Sequence, residues 1–369
     1  MVLAHEAGHF FTAKSFGIRV DEFGFGFPPK LFGRKYGETE YTVNMLPIGG
    51  FVKIFGEDPD DPPRLALGEA GENTTDPDEN RKFFNKPAYQ QAIVLFAGVF
   101  ANFILAWLLF SFGLMSGLPT SLDNKMPGYT LSDVHLTIVS VVPKSPAELG
   151  GLKSGDKIVS VTHMHPNEEM HTVTNINPDS VKAFVLEHSG DEINIGYIRG
   201  KNQAINIAKV TPVLNATIKA PSIGIAMDEI GTAKLPFFTA FKEGLALTLF
   251  VTKGTVVGLY TLIRDGIQGR GSFASVTGPV GMVGIVGDAY KFGFVYLVSF
   301  TALISVNLAI INLMPFPALD GGRLFFLLIE KIKGSRINPK VANTANMIGF
   351  GILILLMLIV TYHDVVRLF

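Results

Sequence analysis

The sequence contains no cysteine. That absence excludes disulfide scaffolds, thiolate zinc sites and cysteine nucleophiles together, so any bound metal must be held by His, Asp or Glu. It leaves the compartment open, because a chain without thiols is neutral toward redox. Charge is scarce as well: 17% of the 369 residues are charged, against about 25% in an ordinary soluble domain. The net charge of −1 excludes a strongly basic nucleic-acid binder, and no nucleic-acid partner is expected. Hydrophobic residues make up 48% of the chain and the mean hydropathy is +0.34. Since the missing charge is concentrated in a few long runs, the chain reads as a multi-span α-helical membrane protein with lipid around it.

Three runs without charge are long enough to span a bilayer: Ala92–Leu118 with 27 residues, Phe292–Leu319 with 28 and Val341–Tyr362 with 22. A spanning helix needs roughly 20 apolar residues, and buried helices of soluble proteins seldom run so long. Leu235–Ile263 is interrupted by Lys242, Glu243 and Lys253, so it reads as an interfacial helix lying against the membrane. Met1–Phe16 has helical character and stops at Gly17. Sixteen residues make a helix of about 24 Å, short of the roughly 30 Å hydrocarbon core. The segment lacks the basic start and continuous apolar centre of a signal peptide. It reads as the second half of a transmembrane helix that begins before Met1.

Basic residues near the spans set the orientation. Lys14–Lys86 holds ten Lys and Arg, and Arg323–Lys340 holds five. Both segments are expected in the cytoplasm, which places residues 119–291 on the opposite side. The chain then divides into an N-terminal membrane part (1–118), an inserted extracytoplasmic domain (130–215) and a C-terminal membrane part (235–369).

The inserted regions carry patterns of their own. Tyr36–Phe55 mixes β-branched and aromatic residues around Pro47-Ile48-Gly49-Gly50, a strand–turn–strand pattern. Asp58–Asn80 is acidic and turn-rich, hence a loop. Residues 134–214 start with a strand at His135–Val142, then place Ala147, Gly151-Leu152, Gly155-Asp156, Ile158 and Val161 at spacings that resemble a bacterial PDZ domain. A helix near Asp179–His188 and strands around Glu192–Tyr197 and Gln203–Val210 follow. Domains of this α+β kind bind an extended peptide as an added strand, or a small β-rich domain here binds nothing.

His5-Glu6-Ala7-Gly8-His9 is an H-E-x-x-H match on a helix. Residues at i and i+4 share a face, so both imidazoles can bind one Zn²⁺ while Glu6 stands beside them as general base. Zinc lowers the pKa of a bound water to about 7, and the base takes its proton. Ionisable groups within a membrane are costly and mark function by default. A third ligand is due, and Asp320 is the carboxylate that stands out. It ends an apolar run broken by Pro315 and Pro317, ahead of Gly321-Gly322. Broken backbone at membrane depth is tolerated where it lines a cavity. Asp320 reads equally as the cap of the helix resuming at Arg323.

The H-E-x-x-H on a first helix, the PDZ-like insertion and the N-x-x-P-x-P-x-L-D-G-G string from Asn312 to Gly322 together resemble the bacterial site-2 protease family, in its regulator of sigma-E protease group. The resemblance covers nearly the whole chain. It implies a zinc-dependent intramembrane endopeptidase of the cytoplasmic membrane, with His5, His9 and Asp320 as ligands and Glu6 as base. It implies a membrane-associated β-hairpin, here around the turn Pro47-Ile48-Gly49-Gly50-Phe51-Val52, that presents substrate as an extended strand through Gly49, Gly50 and Phe51. Gly98 and Asn102 match a family G-x-x-x-N element, and Asn102 and Asn312 are implied in substrate handling. Thr277-Gly278-Pro279-Val280-Gly281 resembles a further family segment. Val99 stands where relatives have proline. The implied substrates are transmembrane segments of single-span proteins, of the anti-sigma-factor or remnant-signal-peptide type, with the PDZ-like domain contacting or gating them. The alternatives are a catalytically inactive, membrane-anchored peptide-binding scaffold and a metal transport path.

Overall fold

The computed structural model describes residues 1–57, 78–122, 130–164, 170–200, 204–215, 219–269, 278–291 and 293–368. The acidic loop expected at Asp58–Asn80 lies almost wholly outside the described residues, as do Thr277, Phe292 and Gln203. The chain forms α1 (Val2–Ser15), β1 (Val20–Tyr36), β2 (Thr39–Ile54), α2 (Ala88–Ser116), β3 (Leu118–Ser121) and β4 (Ser132–Val141). Then follow α3 (Pro146–Leu149), β5 (Lys157–His163), β6 (His171–Thr172), α4 (Pro178–Glu187), β7 (Ile193–Ile198), β8 (Ile205–Val210), β9 (Val213–Asn215), β10 (Ala220–Ser222) and β11 (Ile225–Ala233). The last part is helical: α5 (Phe237–Ile267), α6 (Pro279–Lys291), α7 (Phe294–Leu313), α8 (Asp320–Lys333) and α9 (Pro339–Leu368). Two compact units result, one of Met1–Leu109, Leu245–Met282 and Thr301–Phe369, the other of Phe110–Gly244 and Val283–Phe300.

In the first unit, α1 turns His5, His9, Phe10 and Ala13 inward. Phe10 and Ala13 join a core with Ile18, Val20, Ile54, Phe83, Val94 and Leu95. That core ties the short first helix to β1, β2 and α2 through apolar contact, the dominant favourable term in packing. The strand pairing departs from the simple hairpin expected around Pro47–Gly50. The tight turn falls at Gly37-Glu38, and the first half of β1 has β2 on both sides. Phe23 pairs with both Val52 and Tyr41, Gly24 with Phe51 and Thr42, and Phe25 with Gly50 and Val43. β2 therefore doubles back between Val43 and Gly50, helped by Gly49 at φ +100, a conformation open to glycine.

Four helices are long and apolar enough to cross a membrane: α2, α5, α7 and α9. Three match the expected runs with shifted ends. α2 begins at Ala88 and ends at Ser116, and α9 extends to Leu368. α7 stops at Leu313, six residues before the expected end at Leu319, because Pro315 and Pro317 cannot continue the ladder. The fourth is not among the three expected spans. The segment read as an interfacial helix, Leu235–Ile263, is within a continuous 31-residue helix that meets the same length and composition test as the others. Lys242 and Glu243 lie in its first two turns, which leaves Lys253 alone in the apolar stretch that follows. Thr255 Oγ1 donates to Asn307 Oδ1 of α7 at 2.8 Å, the kind of side-chain bond that joins helices in lipid.

The second unit is built on a seven-stranded sheet in the order β3-β11-β4-β5-β7-β8, with β6 paired to β5. Leu136, Ile138, Leu152, Val161, Ile193 and Ile195 fill its core. α3 starts as its sequence dictates, with Pro146 in its first turn and Ser145 Oγ accepting from Glu148 N. α4 opens on a capping box between Asn177 and Ser180. β11 pairs with β4 from Ile225↔Val141 to Thr232↔Ser132, so the sheet reaches beyond the expected 130–215 boundary on both sides. A strand whose partner lies so far along the chain has no local signal of its membership.

Candidate metal centre

α1 places His5 and His9 one turn apart on its buried face, each 7% exposed. Their Nε2 atoms lie 3.2 Å apart. Asp320, at the first turn of α8, brings Oδ2 to 3.1 Å from His5 Nε2 and 3.4 Å from His9 Nε2. The choice between ligand and cap is thereby informed: Leu319, not Asp320, occupies the N-cap position, and no side chain caps this helix. All three donor atoms lie within 4.8 Å of one another.

These residues fit a zinc ion on their own geometry. Four-coordinate zinc holds N and O ligands at about 2.0–2.1 Å, and a tetrahedron of that size has edges of about 3.3 Å. His9 Nδ1 donates to the Val94 carbonyl oxygen at 2.8 Å. A carbonyl can only accept, so this bond puts the proton on Nδ1 and leaves the Nε2 lone pair facing Asp320 and His5. Asp320 Oδ2 and His5 Nδ1 are buried without a hydrogen-bond partner. Buried polar atoms are almost always satisfied, and three convergent electron-pair donors are what a cation satisfies.

Packing decides how closely the parts approach. A Cβ at Gly98 of α2 would fall on His9 Nε2, with His5 Cε1 2.8 Å away; only glycine leaves the imidazoles in place. At Gly321 a Cβ would collide with the carbonyls of Leu313 and Met314, so glycine lets α8 fold back against the end of α7. The break between these helices is held from α9, where Asn346 Oδ1 accepts from Ala318 N at 3.1 Å.

Glu6 is half-buried beside the two histidines and within electrostatic range of His9, His5 and Asp320. A Cβ at Gly50 would stand 3.6 Å from Glu6 Cγ, so the doubled-back strand passes next to this carboxylate. Phe51 packs over Gly24, and Gly49 lies against Phe27. Asn312 Nδ2 is 3.3 Å from His5 Nε2. Asn102 is fully buried and its amide atoms have no hydrogen-bond partner, while its main-chain oxygen accepts from Ser305 Oγ at 3.0 Å. Three contributors went unforeseen in the sequence: the Val94 carbonyl, the Asn346 amide and the cradle at Gly98. A main-chain carbonyl leaves no trace in residue identity, and Gly98 stood out only as part of a short motif.

With this geometry in hand, comparison with known proteins is informative. The model of peptidase family M50 matches residues 1–356. A protein of Clostridium perfringens named as a zinc metalloprotease is 33% identical over 99% of this chain and 95% of its own. The zinc metalloprotease RasP of Geobacillus kaustophilus is 30% identical over 100% and 96%. The regulator of sigma-W protease RasP of Bacillus subtilis is 31% identical over 100% and 96%.

Proposed function

The chain belongs to peptidase family M50, the site-2 proteases, and is a zinc metalloprotease, and on that premise we propose that His5, His9 and Asp320 hold its zinc while Glu6 is the base that cuts a peptide bond inside a membrane-spanning substrate. The observation that carries this reading is the convergence of His5 Nε2, His9 Nε2 and Asp320 Oδ2 at 3.1–3.4 Å from one another. When bound, zinc supplies a water of lowered pKa and polarises a carbonyl. Glu6, one residue from His5, accepts the proton of the attacking water and returns it to the leaving amine. The bond from His9 Nδ1 to Val94 fixes the tautomer and orients the ring.

A substrate helix hides its peptide bonds in its own hydrogen bonding, so a segment must open into extended form before cleavage. The strand at Gly49, Gly50 and Phe51, next to Glu6, offers an edge on which such a segment can pair. Asn312, beside His5, and Asn102, with an unsatisfied buried amide, are the side chains proposed to hold its carbonyls. The substrates are single-span proteins of the anti-sigma-factor or remnant-signal-peptide type, in line with the sigma-W regulator named among the relatives. The basic segments 14–86 and 323–340 face the cytoplasm of a bacterial inner membrane. The PDZ-like segment lies outside, where it contacts or gates substrates.

Purified protein in detergent, loaded with zinc, is expected to cleave a single-span reporter. Glu6→Gln is expected to keep its zinc and lose cleavage; a Glu6→Gln protein that still cuts overturns the mechanism. Asp320→Asn with unchanged zinc affinity removes Asp320 as a ligand.

A further inference from the structure

In the second unit, three of the chain's eight histidines come together. His163 ends β5, His171 begins β6, and the two stand directly opposite each other across that antiparallel pair. His188 closes α4 as its C-cap residue. The ring centroids of His163 and His188 are 4.6 Å apart, and those of His171 and His188 are 5.9 Å apart. In the metal centre, His5 and His9 have centroids 4.7 Å apart and Nε2 atoms separated by 3.2 Å.

His163 and His188 are only 9% and 6% exposed, and burying an imidazole costs free energy unless its nitrogens are engaged. The main chain engages one nitrogen of each. His163 Nδ1 donates to the Glu192 carbonyl oxygen at 3.0 Å, and His188 Nδ1 to that of Phe184 at 2.9 Å. A carbonyl only accepts, so both rings carry their proton on Nδ1 and their lone pair on Nε2. Metal-binding histidines are held in this way through their second nitrogen, as His9 is through Val94. Phe184 also stacks on His188, with centroids 4.1 Å apart, which fixes the plane of that ring. His171 differs. It is exposed, and exposed side chains change rotamer within nanoseconds. The donor atoms of the three residues do not all lie within 4.8 Å of one another, as those of His5, His9 and Asp320 do. The movable member of the set is therefore the one that has to turn.

We infer that His163, His171 and His188 form a second metal site, which takes a divalent transition ion such as zinc when His171 turns toward His188. Three imidazoles without a carboxylate suit zinc, copper or nickel rather than magnesium or calcium. Three protein ligands also leave a fourth position for water. The bound ion ties the β5–β6 pair to the end of α4, so the second unit is stabilised according to the metal supply. The site is independent of the proteolytic reading above.

The test uses full-length protein in detergent, without a polyhistidine tag, equilibrated with excess zinc and desalted. Wild type is expected to retain two zinc ions per chain, His171→Asn one, the His5→Ala/His9→Ala variant one, and the three substitutions together none. His135 lies in the same unit against Asp133, and His135→Asn is expected to retain two. A second arm exploits the absence of cysteine. His171→Cys supplies a unique thiol whose thiolate is itself a zinc ligand. This variant is expected to keep the second ion, and zinc is expected to slow alkylation of its thiol about tenfold or more, because the thiolate is both ligand and nucleophile. Adding His188→Asn is expected to remove that protection. One zinc per wild-type chain that His171→Asn retains overturns the inference, as does a His171→Cys thiol alkylated equally fast with and without zinc. One zinc per wild-type chain that is lost in His171→Asn and kept in His5→Ala/His9→Ala upholds it and counts against the metal centre instead. Since the second site reports in any zinc titration, measurements on His5, His9 and Asp320 are made in the His171→Asn background.

Discussion

Asp156 in the second unit is fully buried, and protein donors fill its coordination: Arg199 Nε at 2.6 Å, Arg199 Nη2 at 2.7 Å and Lys153 N at 2.8 Å. Asp320 in the first unit is partly buried, with a side chain 18% exposed, yet its Oδ2 is buried, faces two imidazole nitrogens and has no hydrogen-bond partner. Burying an anion is costly unless it is paired. The Asp156–Arg199 fork satisfies that demand within the chain and fixes a turn of the sheet domain. The Asp320 site leaves it open, with His5 and His9 turned toward the same point. A satisfied buried carboxylate is architecture, and an unsatisfied one facing two imidazoles is a candidate binding site.

The sharpest separation of the two is catalytic. Glu6→Gln is expected to lower cleavage of a single-span reporter by about 10²–10⁴-fold, the usual worth of a general base, while Asp156→Asn leaves the zinc content of the protein unchanged. Next comes the metal itself. Gly98→Ala pushes a methyl group into both imidazoles, and zinc affinity measured by competition with a chelator is expected to fall tenfold or more, roughly the scale of disturbances around metal ligands. Zinc removal is expected to lower the melting temperature of the wild type, because a ligand bound only by the folded state stabilises it. Asp320→Asn should abolish that zinc-dependent shift; a shift of full size in Asp320→Asn would collapse the contrast drawn here. Asp156→Asn is expected to cost about 2–3 kcal/mol in the second unit by denaturant unfolding, below the loss for a wholly buried pair because the Arg199 side chain is 40% exposed.

The smallest effect is a dependence on acid. Hydrogen bonding from Arg19 holds the Asp78 carboxyl below its ordinary pKa. A depressed folded-state pKa contributes stability above the unfolded value, about 3.9, that is lost as pH falls through the folded one. Asp78→Asn is therefore expected to flatten the acid limb of the stability curve below about pH 4, without altering zinc binding. An equal effect on zinc would link this ion pair to the metal centre.

Much of this was legible along the chain, and the failures have physical causes. Charge-free runs marked α2, α7 and α9, and the spacing of His5 and His9 put both on one helical face. The strand–turn–strand signal between Tyr36 and Phe55 was real, and the chain does double back between Val43 and Gly50, but its two arms pair with β1 rather than with each other. Which strands are neighbours depends on Val20–Phe25 lying between two arms of β2, a non-local pairing that alternation alone does not encode. α5, read as interfacial from its charges, carries Lys242 and Glu243 in its first two turns and a long apolar stretch after them. The reach of the sheet past residue 215 was hidden for the reason given by β11, whose partner β4 is some ninety residues earlier.

Residue identity by itself determined that no thiol can hold a metal, that long segments belong in lipid, and that His5, Glu6 and His9 share one turn of helix. These follow from side-chain chemistry and the period of the α-helix, which act locally. Only the tertiary structure decided that Asp320 comes within 3.1–3.4 Å of His5 and His9 rather than merely starting a helix. It also decided that Gly98 makes room for the imidazoles and that Val94 sets the His9 tautomer. Those outcomes depend on which distant segments touch, and contact between residues three hundred positions apart is fixed by packing of the whole unit rather than by any stretch of sequence.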